Sequence, residues 1–179
     1  MSRSIILISM YFISCTHRVP YTLMSDGHYW LTKNMDLKTA ESYCIHDSSQ
    51  YCKLFGRLYT WNAAQKVCTQ LGNDWHLPSD EEWNKLAKAY GGRAGDSNDH
   101  GASAFRQLIK GGDSKFEALL GGNREPNGQY ERTNAHGFYW TSTADKNGEA
   151  WFYNFGNGMG ILNHHSGTKQ RALSVRCIQ

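Results

Sequence analysis

The chain carries no long run of like charge and only a small excess of basic over acidic residues. Its 179 residues include 19 Lys and Arg against 16 Asp and Glu, a formal net charge of +3, and the basic residues are scattered. Proteins that bind nucleic acid gather basic residues into a patch that faces the phosphates. The sequence therefore gives no indication of a nucleic-acid partner.

Several motifs that carry catalysis are absent as well. There is no Gly-x-Ser-x-Gly nucleophile turn, no His-Glu-x-x-His pair and no glycine-rich phosphate loop. The acidic residues Asp80, Glu81 and Glu82 form a cluster, but carboxylates are favoured in the first turn of a helix by its dipole. We therefore predict that the chain is not an enzyme and holds no cofactor.

Proline is scarce and glycine is not: the chain has 3 prolines, 18 glycines and 13% aromatic residues. Glycine supplies the positive backbone angles that tight turns require, so many short strands joined by turns are expected. No repeat or low-complexity tract divides the sequence. With 40% apolar residues the chain can build one sizeable core, which predicts one domain.

Long apolar runs are also missing. The run from Ile5 to Ile13 is shorter than the roughly twenty residues that a helix needs to cross a bilayer. It follows Arg3 and precedes Ser14 and Cys15, which is typical of a bacterial lipoprotein signal. We predict a signal peptide over residues 1–14, lipidation of Cys15 and a tether over residues 15–29; the alternative for the apolar run is a core strand.

Setting Cys15 aside leaves an even number of cysteines, which indicates disulfides in an exported chain: Cys44, Cys52, Cys68 and Cys177. Four cysteines allow three pairings. Proximity favours Cys44 with Cys52, which leaves Cys68 with Cys177. A zinc site of Cys44, His46 and Cys52 is the alternative, although the spacing lacks a fourth ligand in register.

Hydrophobic periodicity predicts two main helices. The first is capped by Thr60 and stops at Gly72, and the second starts at Ser79, with Glu82 completing a capping box, and ends at Gly91. The apolar positions that repeat with the helical period are Ala64, Val67, Cys68 and Leu71, then Trp83, Leu86, Ala87 and Tyr90.

The remainder predicts a short helical turn around residues 105–109 and then strands. The strand candidates are residues 116–120, 137–143, 150–155, 160–163 and 172–178. Alternation in the last candidate predicts one packed face of Leu173, Val175 and Cys177, and a second face that meets water or a neighbour. Helices followed by an antiparallel sheet predict an α+β fold.

Four phrases occur in fixed order: residues 56–61 (Gly-Arg-Leu-Tyr-Thr-Trp), 75–79 (Trp-His-Leu-Pro-Ser), 137–143 (Gly-Phe-Tyr-Trp-Thr-Ser-Thr) and 174–177 (Ser-Val-Arg-Cys). From about Trp30 to the end, the chain resembles the Fibrobacter succinogenes major paralogous domain family. That family is related to the C-type lectin fold and to formylglycine-generating, sulfatase-modifying enzymes. The resemblance implies a C-type-lectin-like domain over residues 30–179, outside the cytoplasm, and its pattern agrees with both cysteine pairs.

The enzymatic relatives oxidise their substrate with a copper-binding pair of cysteines. Here all four domain cysteines are expected in bridges, which leaves no free thiol for a soft metal or a nucleophile. The resemblance therefore favours a binding protein over an enzyme.

Glu125-Pro126-Asn127 is the one motif that resembles a calcium-dependent sugar site. Carboxylate and amide oxygens suit calcium. C-type lectins add a Trp-Asn-Asp triplet on a later strand, but the corresponding residues 151–154 contain no aspartate. The family instead implies a hairpin turn at residues 125–128, which Pro-Asn-Gly also favours. We predict a turn and no bound metal, with Glu125 and Asn127 as weak calcium candidates.

The histidines and tryptophans are interpreted as structural. His164 and His165 are adjacent on a predicted strand and point to opposite faces, so they cannot easily share one ion. His76 is expected to hold a hydrogen bond near the start of the second helix. The tryptophans expected in the core are Trp61, Trp75, Trp83, Trp140 and Trp151.

The glycine-rich stretch after Trp151 is the predicted ligand surface, because loops held by a rigid scaffold commonly carry recognition. In C-type lectin relatives this region is the exposed ligand face, and some bacterial relatives diversify it at asparagine codons. The candidate ligand-binding residues are Tyr153, Asn154, Asn157, Asn163, His164, His165 and Lys169. The alternative is plain solvent-exposed turns.

These observations predict a lipid-anchored binding module on a bacterial outer membrane or cell surface. Its expected ligand is a glycan or polysaccharide, bound without catalysis and without calcium. The alternative is a structural or adhesive surface protein, including one of the diversified kind, that binds a protein partner.

Overall fold

The computed structural model describes residues 19–72 and 74–179. This part of the chain forms an α+β fold whose four α-helices are α1 Ser49–Phe55, α2 Trp61–Val67, α3 Asp80–Ala89 and α4 Ala102–Leu108. Short 3-10 helices cover Ile45–Asp47 and Cys68–Leu71. The strands are β1 Tyr21–Leu23, β2 Tyr29–Leu31, β3 Ser42–Tyr43, β4 Leu58–Thr60, β5 Asn123–Arg124, β6 Tyr130–Glu131, β7 His136–Ala144, β8 Ala150–Gly156, β9 Ile161–Gly167 and β10 Ala172–Leu173.

The described strands form three sheets, in which every neighbouring pair is antiparallel. β1 and β2 form a hairpin, β3-β4-β10-β5-β6 form a five-stranded sheet, and β7-β8-β9 form a three-stranded sheet. The last strand therefore lies at the centre of the larger sheet, between elements from both halves of the sequence.

Both main helices begin where their capping residues predict. The Thr60 hydroxyl accepts a hydrogen bond from the Ala63 N–H at the start of α2. At the start of α3, the Ser79 hydroxyl accepts from the Glu82 N–H while the Glu82 carboxylate accepts from the Ser79 N–H at 2.7 Å. These bonds satisfy N–H groups that have no partner within a helix.

α1 was not predicted from the sequence. It has seven residues, none of them buried, and so it presents no apolar stripe with the helical period. Its position is fixed instead by a disulfide between Cys44 and Cys52.

Two strand predictions need correction. Residues 116–120 contribute only an isolated bridge between Ala118 and Ile109, because Glu117 has a positive φ of 59° that no regular strand allows. The strand predicted over residues 172–178 is regular only at β10, after which single bridges join Ser174 to Tyr139 and Ile178 to Trp30 and His76. The predictions at residues 137–143, 150–155 and 160–163 correspond to β7, β8 and β9.

The domain begins earlier than residue 30, within the span predicted as a tether. Tyr21 pairs with Leu31 across the β1–β2 hairpin. β2 in turn pairs with the chain end, since Tyr29 and Gln179 exchange backbone hydrogen bonds of 3.0 and 2.9 Å. The predicted signal peptide and Cys15 lie outside the described residues. Along the part of the chain that is described, no helix has the length and apolarity to cross a membrane.

The core is aromatic and is closed by the second disulfide. Trp30, Trp83 and Trp140 are wholly buried, and Trp75 nearly so. Trp61 and Trp151, expected in the core, are only partly buried. Both predicted cysteine pairs are present, and Cys68–Cys177 joins the end of α2 to the chain end across 109 positions. The Cys44–Cys52 disulfide also replaces the alternative zinc site.

Candidate functional site

A polar pocket of about 170 Å³ lies between the two larger sheets. Its lining residues come from the β5–β6 region, from β7 and β8, and from β10 with the residue before it: Asn123, Arg132, His136, Phe138, Phe152, Asn154, Arg171 and Leu173. We call this cavity the inter-sheet pocket. It is built by residues distant in sequence, which explains why no local motif predicts it.

The floor of the inter-sheet pocket is aromatic. Phe138 and Phe152 are almost fully buried, and their rings meet edge to face with centroids 5.8 Å apart. His136 lies two residues before Phe138, so both side chains share one face of β7, and their rings stack at 5.4 Å. An apolar floor with a few oriented polar groups is the usual composition of a small-molecule site.

His136 and Asn154 form a hydrogen-bonded pair above this floor. Asn154 is buried, and its Oδ1 accepts from His136 Nδ1 at 3.0 Å. That bond makes Nε2 of a neutral His136 an acceptor and leaves the Asn154 amide as a donor. Among the described residues, neither His136 Nε2 nor Asn154 Nδ2 has a protein hydrogen-bond partner. A donor beside an acceptor matches a hydroxyl group, which can both accept and donate.

Two arginines flank the pair and are held by Glu125. Glu125 Oε2 accepts from Arg171 Nε at 2.9 Å, and its Oε1 accepts from Asn123 Nδ2 at 2.8 Å and lies 3.5 Å from Arg132 Nη1. Arg132 Nη1 also donates to Asn123 Oδ1 and pairs with Glu131. Both carboxylate oxygens of Glu125 are therefore engaged by side chains rather than open to a cation.

The Glu125-Pro126-Asn127 motif forms the predicted hairpin turn between β5 and β6. The Gly128 N–H donates to the Glu125 carbonyl at 2.9 Å, and the Gln129 N–H donates to Asn127 Oδ1 at 3.0 Å. Gly128 has a φ of 93°, which favours glycine. The described residues contain no group of three or more His, Cys, Asp or Glu side chains placed to hold a metal.

The predicted ligand residues fall on opposite faces of the β8–β9 ribbon. Tyr153 pairs across the ribbon with His164, and Asn154 pairs with Asn163, while His165 pairs with Phe152. Because side chains alternate along a strand, Asn154, Asn163 and His165 share the face that carries the inter-sheet pocket. Only Asn154 lines the pocket itself.

The other face of the ribbon packs against α3. Tyr153 is wholly buried and stacks on Trp83 at 5.1 Å. His164 Nε2 lies 2.6 Å from Asp80 Oδ1, and its ring stacks on Trp151 at 4.4 Å. These residues serve packing and cannot form one surface with His165.

The last two candidates lie apart from both faces. Asn157 is exposed in the turn between β8 and β9. The Lys169 ammonium lies 4.4 Å from the centroid of the Trp61 ring, within the range of a cation–π contact. Neither residue lines the inter-sheet pocket.

Four polar pocket residues were not predicted as site residues: Asn123, Arg132, His136 and Arg171. Only His136 has a recognisable signal in its local sequence: it immediately precedes the apolar residues that form most of β7. The partners of that histidine, 18 residues away on the next strand, depend on the register of β7 against β8.

Comparison with known proteins gives one match. The family model described as the Fibrobacter succinogenes major domain matches residues 20–179. No curated protein and no solved structure has significant similarity to the chain.

Proposed function

The chain belongs to the Fibrobacter succinogenes major domain family, and from the pocket that its domain builds we propose that it is an exported surface module that binds a glycan. The observation that carries the proposal is the His136–Asn154 pair, which directs an unpaired donor and an unpaired acceptor over an aromatic floor. Sugar units offer hydroxyl groups for that pair and apolar ring faces for Phe138 and Phe152.

The proposed binding involves neither catalysis nor calcium. Cys44, Cys52, Cys68 and Cys177 are all in disulfides, so the domain offers no thiol for nucleophilic or copper chemistry. Calcium would have to displace the two arginines and Asn123 from Glu125. We therefore expect chelators to leave binding unchanged.

The proposed location is the surface of a bacterium, most simply its outer membrane, with Cys15 carrying the lipid anchor. The two disulfides support an oxidising compartment, where such bonds form and persist. We also propose that the fold is C-type-lectin-like, because two capped helices precede the three-stranded sheet β7-β8-β9 and a disulfide ties α2 to the chain end. An experimental structure that superposes on a C-type lectin would test that relationship.

A structural or adhesive role is the second candidate. Tyr21, Leu23 and Tyr29 are 58%, 58% and 44% exposed on the β1–β2 hairpin. Clustered exposed apolar side chains favour contact with another protein. In that case the ligand would be a surface protein and the glycan pocket would be incidental.

The test is binding of the oxidised, unlipidated full chain to a glycan and polysaccharide array, with calcium and with chelator. Selective binding that chelator does not change is expected. An array on which nothing binds would contradict the glycan proposal and favour the protein partner.

A matched pair of variants locates the site. Asn154→Asp keeps the acceptor for His136 but removes the amide donor, and loss of one buried hydrogen bond should weaken binding about tenfold. Asn163→Asp makes the same change at the paired position of β9, on the same face but outside the pocket lining. Equal losses in both variants would show that charge on this face, rather than the pocket, controls binding.

A further inference from the structure

A larger cavity, of about 370 Å³, lies on another part of the molecule between α1 and the segments at residues 32–36 and 110–119. Its lining residues are Thr32, Lys33, Asn34, Asp36, Cys52, Lys53, Leu54, Gly56, Lys110, Glu117 and Leu119. We call it the lysine groove. It shares no lining residue with the inter-sheet pocket.

Three lysines bring positive charge to the groove. Lys33, Lys53 and Lys110 come from three separate segments and are exposed. Within the described residues the only lysine ion pair joins Lys85 to Glu81 on α3, so these three ammonium groups have no acidic partner within 4.0 Å. They are available to an anionic ligand.

A buried cation lies beneath the groove. Arg176 is wholly buried, and its Nε donates to Oδ1 of the lining residue Asn34 at 2.7 Å. Its other nitrogens donate to the backbone carbonyls of Leu31, Phe116 and Glu117, so no carboxylate pairs with the guanidinium. Its charge therefore adds to the positive potential of the groove.

Two carboxylates oppose these cations. Asp36 lines the groove, and the Glu117 carboxylate oxygens lie 3.3 and 3.4 Å from the Gly111 N–H. Four cations against two carboxylates leave the groove positive.

The groove continues into an apolar cavity of about 370 Å³ that shares Leu54, Lys110 and Leu119 with it. The extension adds Phe55, Ile109, Ala118, Leu120 and Asn134. Leu54 stands at the junction and is 58% exposed. The walls of this end are mostly aliphatic, which suits an apolar side chain better than the flat face of a sugar ring.

The groove wall formed by α1 is held in place from three directions. The Cys44–Cys52 disulfide ties α1 to the preceding segment. Asn34 Nδ2 donates to the Phe55 carbonyl at 2.8 Å. Gly56 has a φ of 76°, and a Cβ there would lie 2.7 Å from both Asn34 Cβ and the Met35 carbonyl oxygen. A site with preformed walls loses less entropy on binding.

We propose that the lysine groove and its apolar extension bind an extended acidic peptide segment of a partner protein. Carboxylates of the peptide lie against Lys33, Lys53 and Lys110, and an adjacent apolar side chain enters the extension beside Leu54. This site is separate from the proposed glycan pocket, so either can exist without the other.

The test measures fluorescence anisotropy of labelled hexapeptides with the unlipidated, oxidised full chain. The acidic probe contains glutamates flanking leucine and phenylalanine, and the control probe replaces each glutamate by glutamine. The acidic probe should bind and the control probe should bind at least tenfold more weakly. Added salt should weaken the acidic probe, because it screens exposed charges.

Matched charge variants separate the groove from the general charge of the protein. Lys53→Gln/Lys110→Gln removes two groove cations and should weaken binding of the acidic probe at least tenfold. Lys88→Gln/Lys146→Gln removes the same charge from exposed sites outside the groove and should change it less than twofold. Binding of the probe should persist in Asn154→Asp.

Three outcomes would overturn the proposal. The first is that the acidic probe does not bind at concentrations up to about 1 mM, the weakest dissociation constant that would count as binding. The second is equal weakening by the two double variants. The third is binding of polygalacturonate, but not of the peptide, in a manner that depends on Lys53 and Lys110; this would assign the groove to an acidic polysaccharide.

Discussion

His76 and Glu82 link the start of α3 to the segment before it. His76 Nε2 lies 3.0 Å from Glu82 Oε1, and His76 Nδ1 lies 2.9 Å from the Asp74 carbonyl oxygen. Burial alone would lower the pKa of His76, but these two acceptors outweigh it and raise that pKa above 6.5. Burial would raise the pKa of Glu82, but hydrogen bonds from Ser79 and His76 outweigh it and lower that pKa below 4.5.

The pair should stabilise the fold most between about pH 4.5 and 6.5. A raised histidine pKa gives stability that is complete below 6.5 and lost as pH rises through the folded pKa; the lowered glutamate pKa gives stability above 4.5 that is lost as pH falls through its folded pKa. Because His76 is half exposed, the effect should stay below about 1 kcal/mol. Urea unfolding of His76→Asn should show a larger loss at pH 5.5 than at pH 8.5.

The control for this pH dependence is His100→Asn, at an exposed histidine whose positive φ of 55° suits asparagine. Its loss of stability should not be larger at pH 5.5. A His76→Asn loss that is the same at both pH values would contradict the ion-pair interpretation.

The environment of Arg176 could not be predicted from the sequence and is seen only in the folded structure. Alternation predicted Val175 and Cys177 in the core and left Arg176 facing water or a neighbour. It faces a neighbour: it is wholly buried, and burial lowers its pKa to about 10. Besides Asn34 Oδ1, its acceptors are backbone carbonyls at positions 31, 116 and 117. No local sequence pattern predicts that distant backbone groups will converge on one side chain.

At the scale of elements, the two disulfides should contribute unequally to stability. Cys44–Cys52 spans 8 positions and Cys68–Cys177 spans 109. The chain-entropy model gives roughly 2.5 kcal/mol for the first and nearly 5 kcal/mol for the second. Cys68→Ser/Cys177→Ser should therefore lower the melting temperature more than Cys44→Ser/Cys52→Ser, as measured by calorimetry. Equal melting temperatures would contradict this order.

The helices and strands that were predicted from the sequence have local sequence signals at their ends. α2 and α3 have side-chain caps and an apolar period, and β7 to β9 are long enough to show apolar runs between glycines. α1 has no buried residue and β10 has only two residues, so tertiary contacts define both. The hairpin at Tyr21 was missed because three-residue strands carry too little pattern.

At the scale of the whole molecule, the predicted lipid anchor can be tested at Cys15. If the predicted lipoprotein signal is correct, the full chain produced in a Gram-negative host should fractionate with membranes and incorporate labelled palmitate. Acyl chains contribute about 0.8 kcal/mol per buried methylene, so Cys15→Ala should release the protein into the soluble fraction. Wild-type protein that is unlabelled and soluble would contradict the prediction.

The candidate sites also belong to this scale. Scattered lysines gave no sign of a charged site, yet the fold brings Lys33, Lys53 and Lys110 to one groove. Of the predicted ligand residues, only Asn154 lines the inter-sheet pocket. β8 and β9 divide Tyr153, Asn163, His164 and His165 between two faces, and the remaining two candidates lie apart from both. Consecutive side chains in a strand point to alternate faces, so a contiguous stretch of strand does not form one surface. Most of this stretch is strand.

The disulfide between Cys68 and Cys177 also determines how the protein responds to proteases. The exposed turns at Asn147 and Met159 both lie between the two cysteines. A cut in either turn leaves two fragments that remain covalently joined, so a nicked molecule keeps its mass until a reductant is added. The protein can thus be cut in its exposed turns without losing its C-terminal strand.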